Sequence, residues 1–480
     1  MKYIIVVCAL FYACTLNAQV PDTLWTRQYG GSSEDKAYGG EQTSDGGYVI
    51  AGYTCSFGAG LMDCYVVKTD SIGEAQWART YGGSNDDRAY SARETTDGGY
   101  IIVGSTKSYG LGSPSIYLIK TNAIGDTIWT KTFAISSMNN EGYSVEQTSD
   151  GGYIVGGSTV NHMVMIKTHG NGETQWIREY GTDSYSDGAS VQQTSDGGYI
   201  IAGRYFLLDN NNFFLVKTDS LGDTLWTSTY GGADNDCCYS VRQTTDGGYI
   251  AAGATGILYD RFGADFFLVK TESHGDTLWT SVFGSDNDDV AFSIRQTPNG
   301  GYIVVGRSYN IYHQNWDVYI VRTDQQGDTA WSHRYGDYGA QWGESVELTS
   351  DGGYIIIGWT SNNECDIWLL KMAPDPYNVE ENTYLQLEHS SFTVTPNPSV
   401  GRLYIYLDIE AVEKFEVKIH DILGRLITSF KGCMPNSRGP HVLTWDGRDH
   451  YGRAVANGAY LVTCAAAGYT MARTVLLMHK

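Results

Sequence analysis

Basic residues are in short supply. Acids outnumber them 54 to 32, which gives a formal charge of −22 over 480 residues. A nucleic-acid binder needs a basic footprint to displace counterions, so nucleic acid is not an expected partner. An anionic membrane surface is disfavoured on the same ground. Beyond the first 20 residues no apolar run is long enough for a transmembrane helix, and the chain is not expected to span a membrane. Proline is scarce, at 9 residues against 58 Gly and 36 Tyr, a balance that favours short strands and tight turns over helices. Catalytic signatures are missing too: there is no G-x-S-x-G elbow, no P-loop and no dinucleotide fingerprint. Neither HExxH nor paired C-x-x-C spacing occurs, which excludes the common zinc sites. Hydrophobic residues at 42% and aromatics at 13% exclude a disordered chain.

The first segment reads as an address. Met1-Lys2, an apolar run from Tyr3 to Tyr12 and the small residue Ala18 form a secretory signal peptide over residues 1–18. Two of the nine cysteines, Cys8 and Cys14, leave with it. An exported chain keeps disulfides, and Cys55–Cys64 and Cys433–Cys464 are the expected pairs.

An internal repeat dominates what remains. The motif [DN]-G-G-Y begins at Asp45, Asp97, Asp150, Asp196, Asp246, Asn299 and Asp351. Tryptophan recurs beside it at Trp25, Trp77, Trp129, Trp176, Trp226, Trp279 and Trp331. A basic residue closes an apolar strand at Lys68, Lys120, Lys167, Lys217, Lys270, Arg322 and Lys371. Each unit resolves into four strands. In the second these are Ala89–Thr95, Tyr100–Gly104, Ile116–Lys120 and Thr127–Thr132, with Asp97-Gly98 as a hairpin turn. Gly104 recurs as Gly52, Gly157, Gly203, Gly253, Gly306 and Gly358, which predicts a close backbone approach. Four-stranded units of about 40–50 residues indicate an all-β fold, a seven-bladed β-propeller. The chain opens with a lone fourth strand, Thr23–Tyr29, and ends the seventh unit after three strands, so the first strand is expected to complete the last blade and close the ring.

The run Tyr81–Tyr90, followed by Gly99–Gly104, Leu118–Thr121 and Trp129, resembles the bacterial seven-bladed β-propeller repeat family, with a more distant likeness to kelch repeats. The likeness covers residues 22–372 and implies fold, not activity. The propeller is placed at residues 19–372 and an acidic linker at 373–390. A small Ig-like β-sandwich follows at 391–480, with strands at Leu403–Leu407, Phe415–Ile419 and Ala459–Thr463. This last segment resembles the C-terminal sorting domain of type IX secretion cargo. The residues that carry the likeness are Pro396, Asn397, Pro398, Gly401, Gly424, Trp445, Asp446, Gly447, Gly458, Tyr460 and the final Lys480. Its WDGRD segment is shared with the Ig-like domain of flagellar hook-capping proteins. The resemblance implies export across both membranes, partnership with the secretion machinery, and a secreted or outer-membrane-surface location.

Function is expected where the repeat breaks, on the loops after each second strand: 56–62, 107–113, 205–212, 255–264 and 309–316. Their aromatics, Tyr109, Tyr205, Phe206, Tyr259, Tyr309, Tyr312 and Trp316, are candidate anchors for an extracellular protein or glycan. The alternative is that they cover the loop bases. The acidic residues between units most simply brace turns. Their densest cluster, with Asp286, Asp288 and Asp289, is the one candidate calcium site, and no other cofactor is expected. The leading reading is a non-catalytic exported binding protein. A secreted hydrolase or lyase and a structural surface component are the alternatives.

Overall fold

The computed structural model describes residues 20–110, 112–181, 186–207, 210–256, 263–285, 287–336, 339–361, 365–375, 391–395, 399–400, 402–408, 415–421, 425–432, 441–466 and 469–478. The proposed signal peptide and most of the proposed linker lie outside them. The chain forms two compact units, 1–379 and 380–480. No helix among the described residues is long and apolar enough to cross a membrane.

In the first unit, seven four-stranded antiparallel sheets with the build of propeller blades occupy the described residues. In the second repeat the strands are Asp87–Glu94, Tyr100–Thr106, Ser115–Thr121 and Thr127–Phe133. The two middle strands are buried along their whole length, as their unbroken apolar sequence requires. The outer strand alternates and is largely exposed. The outer-strand tryptophans reach across to the next sheet: Trp129 meets Tyr153 at 6.0 Å, as Trp77 meets Tyr100 edge-on at 5.5 Å and Trp25 meets Tyr48 at 5.8 Å. The lone strand Thr23–Tyr29 pairs antiparallel with Cys365–Met372, so the start of the chain supplies the fourth strand of the last sheet.

The repeated Asp and Lys form one device. The Asp45 carboxylate accepts from Thr43 Oγ1 and Gly47 N, which shapes the hairpin, and Gly46 takes the φ of +82° the turn demands. Buried Lys68 donates to the same carboxylate at 2.8 Å and to the Thr69 carbonyl at 2.7 Å. Burial works against ionisation, yet Lys68 and these hydrogen bonds hold Asp45 down at about 2. The ion pair recurs in five further repeats. The sixth departs: Asn299 replaces the acid and accepts from Arg322 at 2.6 Å, and the ion pair of Arg322 is made with Asp375, past the last strand, at 3.0 Å with both groups fully buried. Tyr354 donates its hydroxyl to the same carboxylate.

In the second unit, Ser391–Thr395, Leu403–Asp408 and His441–Trp445 form one sheet. Ser399–Val400, Tyr469–Met478, Gly458–Ala466, Phe415–Asp421 and Leu426–Gly432 form the other. Leu403, Ile405, Leu407 and Trp445 of the first pack into one core with Val417, Ile419, Val462 and Val475 of the second. The result is an Ig-like sandwich.

The cysteine pairing is corrected. Cys55 and Cys64 are both free. Strand alternation turns Cys64 into the core shared by the first two sheets, where burial pushes its thiol well up. Cys55 sits past the end of the second strand, its N–H donated to the Glu34 carbonyl. Cys464 is likewise a free, buried thiol, and Cys433 lies outside the described residues.

Candidate functional site at the loop end of the inner strands

The first strands of neighbouring sheets lie against one another, and Asp35–Gln42 also touches Ala340–Leu348. These inner strands have two ends. At one, the loops between repeats bond to the loops after the second strands, as Cys55 N does to Glu34 O, Lys107 N to Asp86 O and Tyr309 N to Asp288 O. At the other lie the Asp-Gly turns.

Every inner strand carries a β-bulge. Register slips between Ala37 and Gly39, and equivalently at Ala89/Ser91, Gly142/Ser144, Gly188/Ser190, Cys238/Ser240, Ala291/Ser293 and Gly343/Ser345. The recurrent glycines explain the slip. A Cβ at Gly104 would fall on the Arg88 carbonyl, and one at Gly358 on the Trp342 carbonyl. Only glycine lets the bulged backbone approach so closely. The extra residue in each bulge is Tyr38, Tyr90, Tyr143, Ala189, Tyr239, Phe292 or Glu344.

A bulge re-aims a side chain, and here the extra residues of neighbouring sheets meet. Tyr38 and Tyr90 stand 5.1 Å apart, as do Tyr90 and Tyr143. Tyr239 meets Phe292 at 5.2 Å, and Phe292 stacks towards Trp342. Trp342 in turn packs on Trp359 at 4.6 Å and Trp316 at 5.9 Å. Arg307 lies among these rings, 3.7 Å from the Trp342 centroid and 4.2 Å from that of Trp316. Glu344 accepts from Trp359 Nε1 at 3.1 Å, and Lys36 sits 4.2 Å over the Trp359 ring. Burial pushes the Glu344 carboxyl up to about 7, against the pull of Trp359, Arg307 and Lys36. Burial also lowers the Arg307 guanidinium from its ordinary value, against the pull of Glu344. Arg307 Nε and Trp342 Nε1 are buried donors with no acceptor. The arrangement offers aromatic faces, two orphaned donors and one under-used carboxylate, which is binding chemistry.

Seven sequence-chosen aromatics land in different places. Trp316 alone joins the stack, with Tyr309 edge-on behind it at 5.4 Å. Tyr109 donates its hydroxyl to Gly82 O at 2.7 Å and packs on Tyr117, covering its loop base. Tyr205 packs on Phe214 within its own sheet, and Phe206 is exposed beyond it. Tyr312 is 93% exposed at a hairpin tip. Tyr259 lies outside the described residues. Two of the expected loops begin and end as strand. The ladders continue to Leu207/Asn210 and Asn310/Asn315, because their residues keep pairing.

The acids between repeats brace loops. Asp35 and Asp87 each accept from a glycine N–H four residues back and from a serine hydroxyl across the loop. Asp288 accepts from Gly263 N and Ala264 N, and Asp289 from Ser285 N. Asp286 lies outside the described residues. No group of three His, Cys, Asp or Glu suited to a metal stands together among the described residues.

The turn end is different. Four residues before each Asp-Gly-Gly motif stand Glu41, Arg93, Glu146, Gln192, Arg242, Arg295 and, last, Glu347. Most of them line a cavity of about 410 Å³. Glu347 accepts a two-pronged bond from Arg295 and a 3.0 Å bond from Arg93, which also reaches Glu41. Burial notwithstanding, these arginines hold the Glu347 carboxyl down at about 2. Arg242 of the same belt donates only to Ser190 Oγ and the Val241 carbonyl, and burial with the neighbouring Arg295 lowers its guanidinium to about 9.

In the C-terminal unit, Trp445 is buried against Tyr460 and donates Nε1–H to Arg448 O at 2.7 Å. Gly447 takes a φ of +73°, Gly458 opens a strand and Asp446 is exposed. The described part of the motif therefore builds core and turn. Pro396, Asn397, Pro398, Gly401, Gly424 and Lys480 lie outside the described residues.

The bulge residues were missed in sequence, although each stands seven positions before its Asp-Gly-Gly motif, as Tyr38 does before Asp45. Aligning the repeats on that motif exposes the column.

No curated protein matches the sequence. Among solved structures the chain is similar to the WD40 domain of Neurospora crassa Pan2, at 14% identity over 74% of this chain and 95% of that one, with a TM-score of 0.48. It is also similar to Sqt1 from Chaetomium thermophilum, at 12% identity over 80% and 96%, with a TM-score of 0.42. A third is PorZ of Porphyromonas gingivalis, described as a surface component of the type IX secretion system, at 10% identity over 93% and 70%, with a TM-score of 0.34. These are likenesses of fold alone. Residues 397–468 match the model of the FlgD Ig-like domain, so the C-terminal unit carries an Ig-like domain of that kind.

Proposed function

We propose that the chain is an exported, non-catalytic binding protein: a closed seven-bladed propeller that holds a protein or glycan at the loop end of its inner strands. The carrying observation is the bulge that turns one side chain per repeat, aromatic in five of seven, towards its neighbours beside Arg307 and Glu344. Closure is supported by the Thr23–Tyr29 pairing and by Gln42 Oε1, which accepts from Ser350 N at 2.7 Å as other repeats do from their neighbours. The Ig-like unit, on its sequence resemblance to type IX sorting domains, directs secretion and surface attachment.

A screen of the full exported chain against glycan and bacterial surface-protein arrays tests the reading. A saturable ligand lost in Tyr90→Ala supports it; a ligand untouched by Tyr90→Ala overturns the site. Titrations in calcium and in chelator should coincide, since Asp288 and Asp289 are engaged with backbone amides. Deleting residues 391–480 should strand the propeller in the periplasm of a type IX host, and surface display of that truncation would refute the sorting role. A second reading is enzymatic, because a carboxyl near 7 suits a general acid. Turnover of a bound glycan, abolished in Glu344→Gln, would favour it.

A further inference from the structure

We infer that the ligand is an uncharged saccharide, read by Arg307, Trp342 and Glu344; this rests on the loop-end site proposed above. Three features converge on it. First, the site is lined by aromatic rings. Tyr38, Tyr90 and Tyr143 form one arc, and Tyr239, Phe292 and Trp342 the other. Ala189 is the small residue between the arcs. The C–H faces of a sugar ring pack well on such surfaces.

Second, the polar groups need both donors and acceptors. Arg307 Nε and Trp342 Nε1 are buried without acceptors. Glu344, beside them, takes a hydrogen bond from Trp359 and has capacity for more. A hydroxyl both donates and accepts, so adjacent hydroxyls on one ring edge serve all three groups once a side-chain shift uncovers the two buried donors. An unmet buried donor is costly, which makes its satisfaction a source of affinity.

Third, the charged groups beside the rings already act on one another: Lys36 and Arg88 on Glu34, and Arg307 and Lys36 on Glu344. Lys36 pairs with Glu34 at 3.4 Å. Arg88 lies 5.3 Å over the Tyr53 ring, and Tyr53 and Tyr143 donate their hydroxyls to Glu34 and Glu141. A ligand carboxylate would meet the acids and a ligand ammonium the cations, so neither gains a net field.

The test is titration calorimetry on the full exported chain with maltohexaose, cellohexaose and triacetylchitotriose as neutral probes. A trigalacturonate serves as the anionic probe and a glucosamine trimer as the cationic one. At least one neutral probe should bind saturably. Trp342→Phe, which keeps a ring but loses the N–H, should weaken it about tenfold, as should Arg307→Lys and Glu344→Gln. Unchanged melting curves show that the variants fold; for any that does not, Trp342→Phe, the mildest change, decides. Binding of the charged probes alone, binding of none, or neutral binding indifferent to all three substitutions would overturn the inference. If a surface protein binds instead and Tyr90→Ala abolishes that, the loop-end site stands and only the saccharide falls.

Discussion

The two ends of the inner strands are built on the same seven strands, three residues apart, and have opposite chemistry. At the turn end, most charged side chains answer one another: Glu347 is gripped by Arg93 and Arg295, and Arg93 reaches on to Glu41, while Arg242 rests on Ser190 Oγ and the Val241 carbonyl. At the loop end, aromatic faces surround groups whose partners are incomplete, with Arg307 Nε and Trp342 Nε1 orphaned. A polar network that satisfies itself holds a fold together, whereas one left open invites a ligand. The difference arises because the upper position is the extra residue of the bulge and is re-aimed by it, whereas the lower one lies three residues on in the regular ladder.

The largest expected effect breaks the closed network. Glu347→Ala leaves two arginines without their carboxylate and should cost about 3–5 kcal/mol, read by denaturant unfolding. The native Glu347 pKa, near 2, lies below the unfolded value near 4.5. Its stabilisation is therefore complete above about 4.5 and disappears as pH falls towards 2. The variant should lack that acid-sensitive component.

Next comes the bulge. Gly104→Val places a side chain on the Arg88 carbonyl and should cost at least about 1–3 kcal/mol. It should also weaken ligand binding by displacing Tyr90. A variant with wild-type unfolding would show that the glycine does not hold the bulge.

Glu344 has the opposite sign. Its native pKa near 7 lies above the unfolded value near 4.5, so the folded state binds the extra proton between them. Stability should fall as pH rises from about 4.5 to 7, and Glu344→Gln should flatten that slope. Identical slopes in both proteins would place the carboxyl in a wetter setting than the structure does. The smallest effect belongs to Tyr312→Ala, which should change stability by less than about 0.5 kcal/mol because the ring is exposed.

The frame was legible because it is written seven times. The Asp-Gly turns, the buried middle strands and the lone Thr23–Tyr29 follow from turn chemistry and local pattern. The recurrent glycine was read as a close approach, and it is one, onto the bulged carbonyl. The site was hidden for a physical reason. A bulge breaks the period of two from which a strand's faces are read, so Tyr90 looked like one more β-forming residue in a chain with 36 tyrosines. Arg307, Trp342 and Trp359 come from three strands of two repeats, and only the packing of those repeats brings them together. Trp316 was found because its hairpin carries it into that packing. Tyr312, four residues earlier, was chosen by the same rule and points to solvent.

The most direct test of the contrast compares wild type, Tyr90→Ala and Tyr312→Ala in one titration series against the neutral oligosaccharides, with folding checked by melting curves. The account predicts that Tyr90→Ala loses at least about tenfold in affinity while Tyr312→Ala stays within about twofold. Loss confined to Tyr312→Ala would move the site to the loop tips and contradict it.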